Sequence, residues 1–231
     1  MHNNKEIVLH HHLGLGDHFV CNGLVHEVSK DCDKIHLPTK QHNFNTVNCL
    51  YKDWDNIDVF PVIDEHRDIL RHCAKHNLPL LKVGFEYLSA CEEDANVCFY
   101  KQLGLDFSVR YTSFKLPKQI SSSETLYDTL IHDKKDYCLI HQRSSTGNFF
   151  MNIETGLPVI EIKPGLTDNL LDYAKIIENA TEIHCIDSSV INLVEGMPIQ
   201  TNKLFFHTIK PDRTSFKFSD KWDIINYERE K

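Results

Sequence analysis

The sequence predicts an α/β protein in two halves, each a parallel sheet covered by helices. Short apolar, β-branched runs alternate with amphipathic segments. That rhythm loosens once, between Glu86 and Lys118, and then resumes. A βαβαβα order supplies the long crossovers that parallel strands need. With 231 residues the chain fits one large α/β domain or two of about 110 residues each. The two rhythms favour the division 1–118 and 119–231.

In the first half the pattern predicts strand Glu6–His11, helix Asp17–Ser29, strand Lys34–Leu37, helix Asn43–Tyr51, strand Ile57–Val62, helix Asp64–Lys75 and strand Leu80–Val83. The looser stretch holds a helix, Ala95–Leu103, and an aromatic-rich connector with Arg110, Tyr111 and Phe114. Ser121-Ser122-Ser123-Glu124 then reads as a helix start, serine capping and acid favouring the dipole. In the second half we expect strands Tyr137–His141, Val159–Ile162, Glu182–Ile186 and Lys203–Phe206, with helices Asp168–Ala180 and Ser188–Glu195. Leu170, Leu171, Ala174, Ile177 and Ala180 fall on one helical face after Thr167 as cap. Two Rossmann-like halves facing a central cleft are the expected architecture.

Composition narrows the function classes. A hydrophobic fraction of 41% and a charged fraction of 25% suit a folded globular chain. The formal charge of −8 argues against nucleic acid or an anionic membrane as main partner, since both demand clustered Lys and Arg. The longest apolar runs fall far short of the roughly 20 residues of a membrane span. The polar start, Met1–Glu6, does not read as a secretory signal, so a cytoplasmic protein is expected. Eight cysteines without a C-x-x-C pair read as free thiols of a reducing compartment.

The loop after the first strand, His12-Leu13-Gly14-Leu15-Gly16-Asp17-His18, lies where ligands sit in such sheets, at the carboxyl end of a strand. It fails as a dinucleotide fingerprint: Phe19 stands where the third glycine belongs, and Asp17 would face the pyrophosphate. The loop is better suited to presenting a carboxylate. Asp17 can act as a general base toward a sugar hydroxyl, or it can cap the first helix. His18 beside it can orient the acceptor or lie on the surface.

In the second half Asp187-Ser188-Ser189 follows a strand and opens a helix, a geometry suited to a diphosphate, with helix capping as the alternative. After the strand at Tyr137, Gln142, Arg143 and Ser144 offer hydroxyl and cationic donors. Arg143 can hold a diphosphate bidentately or form a surface ion pair. Glu161 either faces solvent or bonds a ligand hydroxyl such as a ribose. A metal is not expected. His10, His11 and His12 alternate faces of a strand, no zinc spacing occurs, and Asp31-Cys32-Asp33 and Asp53-Trp54-Asp55 precede strands, at the wrong edge for a ligand.

In chain order these pieces resemble glycosyltransferase family 9, the heptosyltransferase-like family. Gly14 to Leu24 is similar to its Gly-Asp loop and first helix. Asp168 to Ala174 and Ala180 to Ser189 are similar to its donor-site helix, strand and Asp-Ser/Thr-Gly turn. The resemblance implies a GT-B fold and metal-independent, inverting transfer from a nucleotide diphosphate-sugar to a glycan acceptor. Asp17, with Gly16 and His18 beside it, then supplies the base. Gln142, Arg143, Ser144, Glu161, Asp187, Ser188 and Ser189 bind the donor, and no cofactor is needed. Ser189 stands where the family usually has glycine, Asn192 where it has histidine, and Gln142-Arg143-Ser144 where it has a phosphate-binding lysine. These departures leave the donor open, and a chain shorter than ordinary members implies trimmed acceptor-binding insertions. A catalytically silent nucleotide- or glycan-binding module is the alternative from another class. A nicotinamide oxidoreductase is disfavoured by Phe19 and Asp17.

Overall fold

The computed structural model describes residues 5–133, 135–210 and 216–227. The chain divides into two compact units, Met1–Lys118 and Gln119–Lys231.

The first unit runs β1 (Glu6–His10), α1 (Leu15–Val20), α2 (Asn22–Ser29), β2 (Lys34–Lys40), α3 (Phe44–Tyr51), β3 (Ile57–Val62), α4 (Glu65–His76), β4 (Leu80–Lys82), α5 (Ala95–Gln102) and α6 (Val109–Thr112). Its sheet has the order β3-β2-β1-β4, and every pairing is parallel, Val8 facing His36 on one side and Leu80 on the other. A strand with a neighbour on each edge and helices on each face has no wet side, so Ile7, Val8 and Leu9 are all buried. β3 lies at the sheet's edge, with Pro61 opposite Thr39.

The single helix expected over 17–29 begins two residues early and bends at Cys21 (φ −85°, ψ 1°). The ladder continues through the bend: Cys21 N–H donates to the Asp17 carbonyl and Val25 N–H to the Cys21 carbonyl, each at 2.8 Å. α2 packs on α6 at Gly23, where a Cβ would lie 2.3 Å from the Val109 carbonyl oxygen. Helix α4 starts as its sequence asks, the Asp64 carboxylate accepting the Arg67 N–H at 3.1 Å, and ends on Asn77 in the left-handed conformation. The expectation of free thiols needs one correction. Cys91 and Cys98 form a disulfide, because the turn Phe85–Ala90 and the start of α5 bring their Cα atoms to 6.2 Å; the other six cysteines are free.

The second unit comprises α7 (Ser121–Ile131), β5 (Cys138–His141), a hairpin of β6 (Arg143–Ser144) and β7 (Gly147–Asn148), β8 (Val159–Glu161), α8 (Ala174–Glu178), β9 (Glu182–Ile186), α9 (Ser189–Gly196), β10 (Leu204–His207) and β11 (Asp223–Ile225). Its main sheet is parallel throughout, in the order β11-β10-β9-β5-β8. The helix expected over 168–180 is instead a 3-10 turn, Leu170–Tyr173, followed by the short α8. Local polar bonding diverts it. Asn169, not Thr167, takes the cap position and accepts the Leu171 N–H at 3.0 Å. The buried Asp172 carboxylate gathers Ser122 Oγ (2.6 Å), Asn169 Nδ2 (2.8 Å) and the Thr167 hydroxyl. A second buried carboxylate anchors the segment before β11: Glu195 accepts from Trp222 Nε1 at 2.5 Å and from Ser219 Oγ at 2.8 Å. Among the described residues no helix is long and apolar enough to cross a membrane.

Because the Val109 carbonyl is backbone and cannot swing aside, Gly23→Ala should cost about 1–3 kcal/mol. Thermal unfolding checks this; an unchanged midpoint would contradict the close α2–α6 approach.

Candidate functional site

A parallel sheet opens a crevice where successive strands are added in opposite directions, because the loops there leave the carboxyl edge diverging. In the first unit the chain steps from β1 out to β3 and returns to the far side of β1 for β4, so the reversal falls between β1 and β4. The loops beside it are His11–Gly14 and Val83–Phe85. They are locked together: Phe85 N–H donates to His12 Nε2 at 3.3 Å. Gly84 has φ +93°, and a Cβ there would sit 2.7 Å from Phe99 and 3.1 Å from His12 Nε2.

Asp17 stands on this edge, partly exposed, as the third residue of α1. The cap position belongs to Gly14, and Gly16 fills the first turn between them. The Asp17 carboxylate folds back so far that a Cβ on Gly14 would lie 2.5 Å from Oδ2. Glycine at 14 is thus the condition for that side-chain position.

His18 needs correction as an acceptor-orienting residue. Consecutive helical residues are turned by about 100°, so Asp17 faces the edge while His18 is wholly buried, its ring 4.6 Å from that of His11. Burial drives the His18 pKa well below its ordinary value and holds His11 at about 4. The pair belongs to the core.

In the second unit the reversal falls between β5 and β9. The turns leaving those strands are joined, with His141 Nδ1 2.9 Å from Ser188 Oγ. Ser188 occupies the cap position of α9, yet its side chain makes no cap bond, and Asn192 Nδ2 holds its carbonyl at 3.0 Å. Capping by Ser188 is therefore not the use of this hydroxyl. Ser189 opens the helix, half-buried, and Asp187 is buried just before it.

Two features escaped the sequence. Lys210, three residues beyond β10, places Nζ 3.5 Å from the Asp187 carbonyl and 4.0 Å from its carboxylate. Its only signal was its place after a parallel strand. The Glu161 side chain is mostly buried rather than facing solvent. It gathers Gln142 Nε2 at 3.2 Å, Arg143 Nε at 3.5 Å and Lys163 Nζ at 3.2 Å. Burial opposes its charge, but those bonds outweigh burial and hold its carboxyl below the usual value. Arg143 thus has the ion pair its sequence allowed, through Nε. Ser144 pairs with Thr146 Oγ1 (2.9 Å) across the β6–β7 turn.

Two helix-covered parallel sheets with loops at their carboxyl edges define an α/β fold of two Rossmann-like units. No family model and no curated protein matches the sequence. Solved structures do match. Glycosyl transferase family 9 from Veillonella parvula DSM 2008 superposes with a TM-score of 0.65 at 10% identity, over 100% of this chain and 89% of that one. E. coli ADP-heptose lps heptosyltransferase II gives 0.55 at 10%, over 96% and 90%. E. coli heptosyltransferase WaaC, solved with ADP-2-deoxy-2-fluoro heptose, gives 0.52 at 8%, over 95% and 92%. The fold is therefore GT-B-like, that of the family 9 glycosyltransferase structures.

Burial holds His11 and His141 at about 4, against 6.5 for a free imidazole. The unfolded chain then takes up protons first as pH falls, so stability drops between pH 6.5 and about 4, by up to ~1.4 kcal/mol per pH unit for each such histidine. Urea unfolding at pH 7 and pH 5 tests this. Equal midpoints would show these imidazoles to titrate normally in the folded state.

Proposed function

We propose that this chain is an inverting glycosyltransferase that moves a sugar from a nucleotide diphosphate donor to a glycan or other hydroxyl acceptor. What carries the reading is the placement of both turns, Gly14–Asp17 and Asp187–Ser189, at the carboxyl-edge reversals of their sheets within a fold shared with family 9 structures. In this reading Asp17 takes the proton of the acceptor hydroxyl as its oxygen attacks the anomeric carbon. The bond from that carbon to the diphosphate breaks, its electron pair leaving on the diphosphate oxygen. A single displacement inverts the centre. The start of α9, the hydroxyls of Ser188 and Ser189, Arg143 and Lys210 stabilise the charge that develops, so the diphosphate needs no divalent ion. The heptosyltransferases named above make an ADP-sugar the first donor to test. Six of the eight cysteines are free, which supports action in a reducing compartment such as the cytoplasm, and the Cys91–Cys98 disulfide is the one feature that points the other way.

Thermal shift against ADP-, UDP-, GDP- and dTDP-sugars should single out the donor, since a ligand that binds the folded state raises its apparent stability. With that donor, Asp17→Asn should keep the shift and lose roughly 10²–10⁴-fold in kcat. Undiminished turnover removes Asp17 from the chemistry. Binding without transfer to any acceptor identifies a silent nucleotide-binding module instead. Lys210→Ala should lower donor affinity severalfold with the fold intact, and unchanged affinity would exclude Lys210 from the diphosphate.

A further inference from the structure

At the opposite end of the second unit's strands, away from the donor turn, three metal-type donors converge. Cys138 opens β5 and Glu182 opens β9, directly opposite each other in register. His184 lies two residues further on, so all three share one face of the sheet. One donor atom from each, the Cys138 sulfur, a Glu182 oxygen and a His184 nitrogen, lie within 4.8 Å of one another. Cys138 is 0% exposed and His184 7%.

The surrounding bonds prepare His184 for an ion. Its Nδ1 lies 2.9 Å from His207 Nε2, and His207 Nδ1 lies 2.8 Å from Tyr227 Oη, which also accepts the Asn152 N–H at 3.0 Å. Of the two proton arrangements open to this chain, the one in which the tyrosine oxygen accepts has each imidazole donating from Nδ1 and leaves His184 Nε2 as a lone pair. That nitrogen is buried and has no hydrogen-bond partner among the described residues. Glu182 is oriented by Thr155 Oγ1 at 2.9 Å and Lys203 Nζ at 3.0 Å, and each carboxylate oxygen keeps a second lone pair.

We propose that Cys138, Glu182 and His184 bind a divalent ion of the zinc type, with water in the fourth position. Thiolate, imidazole and carboxylate are donors zinc takes tetrahedrally, and His207 is the outer partner that fixes the ligand's tautomer. Binding forms the sulfur–metal bond as the Cys138 thiol proton leaves to solvent, with no change of oxidation state. His184, the ligand nearest the donor turn, is three residues of strand from Asp187, about 10 Å at ~3.3 Å per residue, so the ion stays clear of that turn. It fastens to the sheet the stretch around Asn152 and Thr155, which has no regular structure, and Tyr227 just beyond β11.

Cobalt(II) titration of the chelator-stripped full chain tests the site. One equivalent should produce near-ultraviolet thiolate-to-cobalt absorption, displaced by Zn²⁺, and Zn²⁺ should raise the melting temperature. Cys138→Ser should abolish the absorption, with far-ultraviolet circular dichroism confirming its fold, and His207→Gln should weaken binding about 10–100-fold. Absence of the absorption in the wild-type chain, or its persistence in Cys138→Ser, overturns the proposal.

Discussion

In each unit a parallel sheet changes its direction of growth once, beside β1 in the first and beside β5 in the second. Parallel strands cannot be joined by tight turns, so every connection climbs over a face and all carboxyl-edge loops emerge on one side. At the reversal two of them part in opposite directions, leaving backbone and side chains approachable without loss of sheet pairing. Asp17 in the first unit and Ser188 in the second stand where they do because of that single topological fact. The buried strands behind them, Ile7–Leu9 and Cys138–Ile140, provide the rigidity.

Close approaches then fix the loops. Gly14 makes room for the Asp17 carboxylate, and Gly84 admits Phe99 and His12. In the second unit polar bonds do the same work, His141 to Ser188 and Gln142, Arg143 and Lys163 to Glu161. The buried imidazoles of His11, His18 and His141 remain neutral near pH 7 because charging them would mean desolvating a cation.

Most of the fold was legible in the sequence. Ile57–Val62 and Glu182–Ile186 were read to the residue, being β-branched runs bounded by turns. The stretch at Asp168 shows where periodicity stops deciding. Leu171, Ala174, Ile177 and Ala180 are buried as their spacing requires, yet Asn169 and Asp172 recruit the backbone and side chains around them and shorten the helix. The β6–β7 hairpin and β11 are two or three residues long and exposed or half-exposed, with no pattern to read. At the site, Asp17 and the turn at Asp187 were visible as loops after strands. Lys210 and the ties to Glu161 were not, because they form between segments that only the sheet order makes neighbours. His18 was misjudged because adjacency in sequence is divergence on a helix.

β3 carries a final consequence. As an edge strand it offers a row of backbone groups that another chain could extend, but Pro61 has no N–H to give and Asp58 is half-exposed at 51% on the same strand. A strand arriving from another molecule would meet a missing donor and a carboxylate that must be stripped of water. The first sheet is therefore blunted at this edge against recruitment into larger β-assemblies.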